Sequence, residues 1–309
     1  MIATVTLNPA VDYTVSLADA LKTGEVNRTR NARITAGGKG INVSYILHQL
    51  HENTRIYGFL AGNTGDMIAS QVSSFDLDAD WIWLTRQNNR INVKIETSEA
   101  VTELNGKGIA AVDDDYTKLL EKLRIYGEND IIVLAGSIPA GAQPTQYGQI
   151  MRALAGSGVR FAVDAEGDAL AAALPCRPYV VKPNLPELCG FFGVSITDWQ
   201  AAMPYLTRLQ AMGARNVLLS MAEEGAMLLD ENRVFWRLSA PHGKMMNTVG
   251  AGDSMLAGFL AATEKHLPYS ETLRWGVAAG SATAYSEWLA DETKITELLT
   301  KTDAPIQIS

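Results

Sequence analysis

Short apolar runs alternate with helical patterns along most of the chain. Continuous apolar runs such as Ile131–Ala135 are typical of strands in a parallel sheet that is buried on both faces, and the segments between them have amphipathic helical spacing. This alternation predicts an α/β fold, a doubly wound, mostly parallel sheet flanked by helices. The predicted strands of the sheet are Ala3–Leu7, Arg55–Gly62, Ile131–Ala135, Arg160–Asp164, Tyr179–Lys182 and Asn216–Ser220.

Two regions depart from the alternation. One follows the turn at Asn8–Pro9, and the other holds three extended segments without helices between them. We expect these segments to form a small β lid, inserted at about residues 11–35 and 81–107 of a single domain spanning residues 1–309. The segments are Asp12–Val15, Trp81–Thr85, Ile91–Glu96 and Val101–Leu104.

Composition narrows the classes of function. The chain has 309 residues, 47% apolar and 19% charged, and no stretch approaches the length of a membrane span. The first residues of the chain have the pattern of a strand rather than of a signal peptide, so we expect a cytoplasmic protein. The net charge of -8 argues against nucleic acid as a partner, and Cys176 and Cys189 lack metal-ligand spacing. An anionic ligand would therefore need local cationic residues.

Two glycine turns carry the candidate chemistry. Gly250 and Gly252 precede an apolar helical segment, so the turn brings Asp253 to a helix N-terminus, where free N–H groups and partial positive charge suit a phosphate. Asp253 can accept the proton of an attacking hydroxyl, and an unshifted carboxylate suffices as this base. An ordinary turn with an N-cap is the alternative. A second turn, Gly37–Gly40, also leads into a helix, but no Ser or Thr follows Lys39, which excludes a Walker A loop.

The two turns together resemble the paired signatures of the ribokinase-like sugar kinases, the phosphofructokinase B family. The matching segments are Ala36–Val43 and Thr248–Asp253, and further matches from Thr6–Asp12 to Gly280–Ala284 extend the resemblance over essentially the whole chain. The resemblance implies a ribokinase-like fold and ATP-dependent transfer of a phosphoryl group to the 6-hydroxyl of fructose 1-phosphate. Tagatose 6-phosphate and fructose 6-phosphate are alternative acceptors. It also implies Mg²⁺ as cofactor and a homodimer formed through the lid strands.

The predicted acceptor site combines strand ends with the first glycine turn. Asp12 and Asn42 suit sugar hydroxyls, and Arg90, Asn92 and Lys94 share one face of a strand. In the family, the residues matching Asp12, Gly38 and Asn42 contact the sugar, and those matching Arg90 and Lys39 hold its phosphate. The predicted acceptor residues are Asp12, Gly37, Gly38, Lys39, Asn42, Arg90, Asn92 and Ser137.

The predicted nucleotide site lies at later strand ends. Asn184 and Glu187 match the family's Asn-x-x-Glu element, which organises Mg²⁺ through water, so no direct protein ligand to the metal is expected; a helix-capping pair is the alternative. Ala222 occupies a position where family members often have glycine. The predicted nucleotide residues are Lys182, Asn184, Glu187, Ser220, Gly225, Thr248, Gly250 and Gly252, and the catalytic turn comprises Gly250, Ala251, Gly252 and Asp253.

Two hypotheses from other classes of protein are alternatives to a kinase. A dinucleotide-dependent oxidoreductase needs GxGxxG directly after the first strand, where Leu7–Ala10 stands instead. A non-catalytic sugar-phosphate sensor would keep the binding residues but would not need Asp253.

Overall fold

The fold is built from two β-sheets and the helices that cover the larger one. The structure is a computed structural model that describes residues 1–139, 141–247 and 249–308. Its strands are β1 (Ile2–Thr6), β2 (Ala10–Leu17), β3 (Thr29–Gly37), β4 (Thr54–Ala61), β5 (Ala79–Leu84), β6 (Arg90–Glu96), β7 (Val101–Asn105), β8 (Ile131–Ala135), β9 (Arg160–Asp164), β10 (Val180–Val181), β11 (Asn216–Ser220), β12 (Ala226–Leu229), β13 (Phe235–Leu238) and β14 (Ile306–Ile308).

Helices follow most strands of the large sheet. They are α1 (Lys39–Gln49), α2 (Gly62–Ser74), α3 (Asp113–Leu123), α4 (Gln146–Ala153), α5 (Gly167–Ala173), α6 (Leu185–Phe192), α7 (Trp199–Ala211), α8 (Ala251–Glu264), α9 (Tyr269–Ala284) and α10 (Glu292–Lys301), with short 3-10 turns at Leu174–Cys176 and Ala222–Glu224. In the part of the chain that the structure describes, no helix is both long and apolar enough to cross a membrane.

The large sheet has the strand order β14-β13-β12-β11-β10-β9-β8-β1-β4-β5. The strands from β11 to β5 are parallel, and β12, β13 and β14 are antiparallel to their neighbours. Alternate residues of strand β8 contact the helices on the two faces of the sheet. Ile132 and Leu134 pack under α3 to α7, whereas Val133 packs under α1 and α8 to α10. Because both faces are covered, the central strands are mostly apolar.

The lid is a separate four-stranded sheet with the order β3-β2-β6-β7. It differs from the predicted lid segments in two strands, because β3 belongs to it although it was not among them, and one predicted segment does not. Trp81–Thr85 was expected in the lid, but the corresponding strand β5 pairs in parallel with β4 at the edge of the large sheet. The reason is that α2 connects these strands, so β4, α2 and β5 form an ordinary β–α–β unit. The lid strands therefore span residues 10–37 and 90–105.

Candidate active site

The two glycine turns lie together because the helices that they begin, α1 and α8, pack against each other. Asn42 in α1 donates a hydrogen bond from Nδ2 to Oδ2 of Asp253 in α8, at 2.8 Å, although the two residues are 211 positions apart in sequence. Asp253 is buried, with 7% of its surface exposed. The structure thus joins the two motifs around one carboxylate.

The turn before α8 exposes backbone donors. Gly250 adopts φ 81°, and a Cβ atom there would lie 2.5 Å from Cδ2 of Leu289, so both conformation and space require glycine. The first bond of the helix runs from the N–H of Ser254 to the carbonyl of Gly250 at 2.8 Å. The N–H groups of Ala251, Gly252 and Asp253 thus have no acceptor within the helix, which suits an anion. The predicted nucleotide residue Thr248 lies outside the described residues.

The carboxyl group of Asp253 is perturbed. Burial, followed by the negative charge of Asp164, raises its pKa from the ordinary 3.8 to about 6, although the charges of Lys39 and Lys182 and the hydrogen bond from Asn42 act in the opposite direction. An unshifted carboxylate would suffice as the base, but the pKa of this one is raised. A base with a pKa close to the working pH accepts a proton more readily and is still ionised at neutral pH.

A cluster of opposite charges surrounds this carboxylate. The Nζ atom of Lys39 lies 2.8 Å from Oδ1 of Asp164 and 3.6 Å from Oε1 of Glu187. The Nζ atom of Lys182 lies 3.2 Å from the second oxygen of Asp164. A Cβ atom at Gly252 would lie 3.1 Å from the same Nζ atom. Lys182 therefore lies against the turn that begins α8.

These charged groups shift one another's pKa values. Burial lowers the pKa of Lys39, but the charges of Asp164, Asp253 and Glu187 outweigh burial and raise it. Burial raises the pKa of Asp164, but Lys182 and Lys39 outweigh it, so that the pKa falls below its ordinary value. Lys39 and Asp164 are therefore both charged at neutral pH.

Asp164 was not among the predicted site residues. The available signal was its position, since it is the acidic last residue of the otherwise apolar strand end Phe161–Asp164, at the carboxyl edge where ligands collect in such sheets. Its partners, Lys39 and Lys182, come from distant parts of the sequence, so their convergence required the structure.

A cavity of about 620 Å³ lies between the first glycine turn, the lid and the segments that follow β8 and β9. Two cations, Lys39 and Arg90, and two acidic residues, Glu166 and Asp168, line it, together with Gly38 and Ser137. Within the described residues, Nε of Arg90 is buried without a hydrogen-bond partner, and burial lowers the pKa of this guanidinium even though Asp12 acts against that shift. The guanidinium donates one hydrogen bond, from Nη1 to the carbonyl of Gly106 at 3.4 Å, and an anionic ligand in the cavity would give it a charged partner.

The polar face of the lid holds Asp12 tightly. Its two carboxylate oxygens accept hydrogen bonds from Nδ2 of Asn92 at 2.9 Å and from Nζ of Lys94 at 3.0 Å. A Cβ atom at Gly37 would come within 2.5 Å of the Asp12 carboxyl carbon, so glycine is required beside it. Lys94 thus pairs with Asp12, while Arg90 on the same strand lines the cavity.

The predicted nucleotide residues occupy neighbouring strand ends. Asn184 and Glu187 form a capping box at the start of α6: Asn184 Oδ1 accepts from the N–H of Glu187 at 2.7 Å, and Glu187 Oε2 accepts from the N–H of Asn184 at 2.8 Å. The capping alternative is therefore realised, but Oε1 of Glu187 still faces Lys39. Ser220 forms a β-bridge with Asn184.

The loop after Ser220 is a tight turn. The carbonyl of Gly225 accepts a hydrogen bond from the N–H of Met221 at 2.9 Å. Ala222 adopts φ 49°, a conformation that favours glycine, which accounts for the glycine expected there. Among the described residues, no group of three or more His, Cys, Asp or Glu side chains could hold a metal ion.

A helix N-terminus beside a buried carboxylate, at the carboxyl edge of a doubly wound sheet, is the arrangement of an α/β phosphotransferase. Comparison with known families narrows this class. The sequence model described as pfkB family carbohydrate kinase matches residues 5–291, and the chain belongs to this family. Membership implies ATP as the phosphoryl donor.

Individual relatives agree with this assignment. The chain is 42% identical over 299 residues to a 1-phosphofructokinase of Bacillus subtilis (97% of each chain) and 32% identical to a D-tagatose-1-phosphate kinase of Bacillus licheniformis (100% of this chain and 99% of that protein). Among solved structures, phosphofructokinase-2 from Escherichia coli in complex with substrates and products matches with a TM-score of 0.90, at 25% identity, over 97% of this chain and 98% of that one. The predicted family and fold class are confirmed.

Proposed function

We propose that this carbohydrate kinase transfers the γ-phosphoryl group of ATP to the 6-hydroxyl of fructose 1-phosphate and so forms fructose 1,6-bisphosphate. The observation that carries the proposal is the connection made by α1. Its first residue, Lys39, lines the cavity below the lid together with Arg90, and Asn42 on the next turn binds Asp253. An anionic sugar in the cavity would therefore have a carboxylate base within the same site.

Each group has a place in the reaction. The cavity of about 620 Å³ is of the size that small ligands occupy, and Arg90 and Lys39 would hold the sugar phosphate in it. Asp12 and Asn42 would accept and donate hydrogen bonds to the hydroxyls. Asp253 would take the proton of the 6-hydroxyl while the oxygen of that hydroxyl attacks the γ-phosphorus and the bond between the γ-phosphorus and ADP breaks.

The donor end of the reaction lies at the start of α8. The N–H groups of Ala251 and Gly252 and the ammonium of Lys182 would neutralise the charge that develops on the transferred group. Mg²⁺ would balance the charge of the nucleotide phosphates, and Glu187, whose Oε1 is not used by the capping box, would hold it through water. Positioning by these fixed donors would supply much of the acceleration.

The choice of acceptor rests on the relatives. The B. subtilis relative at 42% identity carries the name 1-phosphofructokinase, and the B. licheniformis relative at 32% is named for tagatose 1-phosphate. Both names place the existing phosphate on carbon 1. This makes tagatose 1-phosphate the nearest competitor to fructose 1-phosphate and weakens the predicted alternatives, tagatose 6-phosphate and fructose 6-phosphate.

A coupled assay of ADP release tests the acceptor. Fructose 1-phosphate, tagatose 1-phosphate, the two 6-phosphates and free fructose would be compared at saturating Mg-ATP. We expect the highest kcat/KM with fructose 1-phosphate. Turnover of free fructose alone would contradict the roles of Arg90 and Lys39, and binding of a sugar phosphate without ADP release would favour a sensor.

The lid supports the predicted homodimer. Cross-strand pairing aligns Tyr13 with Ile34 and Val93, and Val93 with Leu104, on the face of the lid opposite to Asp12. Ile34 is 50% and Leu104 56% exposed. A second copy of this apolar face would cover them. A single domain and a cytoplasmic location remain predictions alongside this one.

A further inference from the structure

Asp164 lies between the two lysines of the site. Its side chain is fully buried, and each of its oxygens faces an ammonium group, that of Lys39 at 2.8 Å and that of Lys182 at 3.2 Å. The lysines serve different sides of the site. Lys39 lines the cavity below the lid, whereas Lys182 lies against Gly252 at the start of α8.

We propose that Asp164 is a positioning residue of the transfer reaction, which holds Lys39 toward the acceptor and Lys182 toward the transferred phosphoryl group at a fixed separation. The inference rests on the proposed function and adds to it a residue that touches neither substrate. A lysine side chain has a flexible four-carbon stem, and one carboxylate that binds both ammonium groups removes that freedom before the substrates bind.

Stability alone is a weak explanation for this arrangement. Burying a carboxylate and two ammonium groups costs free energy, and a buried ion pair is often no more stable than apolar residues of the same volume. Placing two cations for anionic substrates is a function that apolar packing could not supply.

Asp164 also acts on the base. The charged groups that act on Asp253 are Asp164, Lys39 and Lys182, and of these only Asp164 raises the pKa of Asp253. Removing its charge would leave the lysines to lower that pKa. A variant without this carboxylate should therefore show two effects together, misplaced cations and a less basic Asp253.

The test is Asp164→Asn, which keeps the size of the side chain and removes its charge. We expect kcat to fall roughly 100-fold and both KM values to rise, because displaced groups align poorly with the reacting atoms. The acid limb of the pH profile of kcat/KM, which reports the free enzyme, should move to lower pH. A merely structural residue would not move that limb.

A matched control is available in Asp230→Asn. Asp230 is 2% exposed and accepts hydrogen bonds from the N–H groups of Asn232 and Val234 and from Nε1 of Trp236. Asp230 lies at the end of the strands opposite to the active site. Its loss should therefore lower thermal stability without changing KM or the pH profile. If Asp164→Asn behaves like this control, the proposal is overturned.

A second variant covers the case in which Asp164→Asn does not fold. Asp164→Asn with Lys182→Met leaves no unpaired charge at Lys182, which should restore stability. Its KM for the sugar phosphate should exceed that of Lys182→Met alone, because Lys39 has lost its partner; equal KM values would refute the inference. The kcat and KM of each variant are compared with those of the unchanged enzyme on whichever sugar phosphate that enzyme uses. A different acceptor would therefore contradict the proposed function without affecting this comparison. A change confined to the Mg²⁺ requirement would also overturn the inference that Asp164 positions the two lysines.

Discussion

Replacing Asp253 with Asn should make the protein inactive and more stable. Burial and the charge of Asp164 raise the pKa of this carboxyl group from 3.8 to about 6 in the folded state, so the folded protein binds its proton more tightly than the unfolded chain does. The free energy of unfolding therefore falls as the pH rises from about 4 to 6. Above pH 6 the ionised carboxylate destabilises the fold.

The magnitude follows from the shift. A difference of about two pKa units corresponds to about 3 kcal/mol at neutral pH, which is an upper bound for the gain on removing the charge. The amide of Asn can still accept the hydrogen bond that Asn42 donates at 2.8 Å, so that contact is kept. Activity should fall by about 10³-fold or more because the base is lost.

Chemical denaturation of both proteins at pH 7.5 and at pH 4 measures this effect. We expect Asp253→Asn to be more stable at pH 7.5 and nearly equal to the unchanged protein at pH 4, with nucleotide binding retained. A variant that is less stable at pH 7.5, or a difference that does not depend on pH, would refute the reasoning.

Three further predictions follow from the same geometry. The kcat/KM of the free enzyme should decline tenfold per unit below a pH of about 6, as Asp253 takes up its proton; a rate that stays constant down to pH 5 would contradict this. Arg90→Gln should raise the KM for fructose 1-phosphate roughly 10- to 100-fold through loss of a charged hydrogen bond, and leave the KM for ATP unchanged; an equal rise in both would remove Arg90 from the acceptor site. Ile34→Glu with Leu104→Glu should yield monomers in light scattering, whereas Ile125→Glu on the body of the protein, 68% exposed, should not; if the lid variant stays dimeric, the interface lies elsewhere.

The elements that the sequence predicted correctly are those with local signals. Ile131–Ala135 and Asn216–Ser220 became strands with the predicted bounds, because their apolar residues form short continuous runs of the kind that a strand buried on both faces needs. The two glycine turns were recognisable because a helix follows each of them directly. Their convergence through Asn42 and Asp253 could be expected only from the resemblance to a family.

The elements that the sequence did not predict depend on contacts between distant residues. The strand at Ala79–Leu84 carries no mark of which sheet it joins, and pairing with β4 decides it. Asp164 appeared as the end of a strand, since only the fold brings Lys39 and Lys182 to it. The raised pKa of Asp253 likewise depends on burial and on Asp164, neither of which can be read from the neighbouring residues.

The central claim is that the two glycine turns form one site in which Asp253 activates the 6-hydroxyl of an anionic ketohexose toward ATP. Phosphorus NMR of a mixture of the protein, Mg-ATP and fructose 1-phosphate tests this directly, with Asp253→Asn measured alongside. We predict a second phosphomonoester signal from carbon 6 of the sugar together with ADP, and no such signal with the variant. Release of inorganic phosphate alone, or product formation at an undiminished rate by the variant, would contradict the claim.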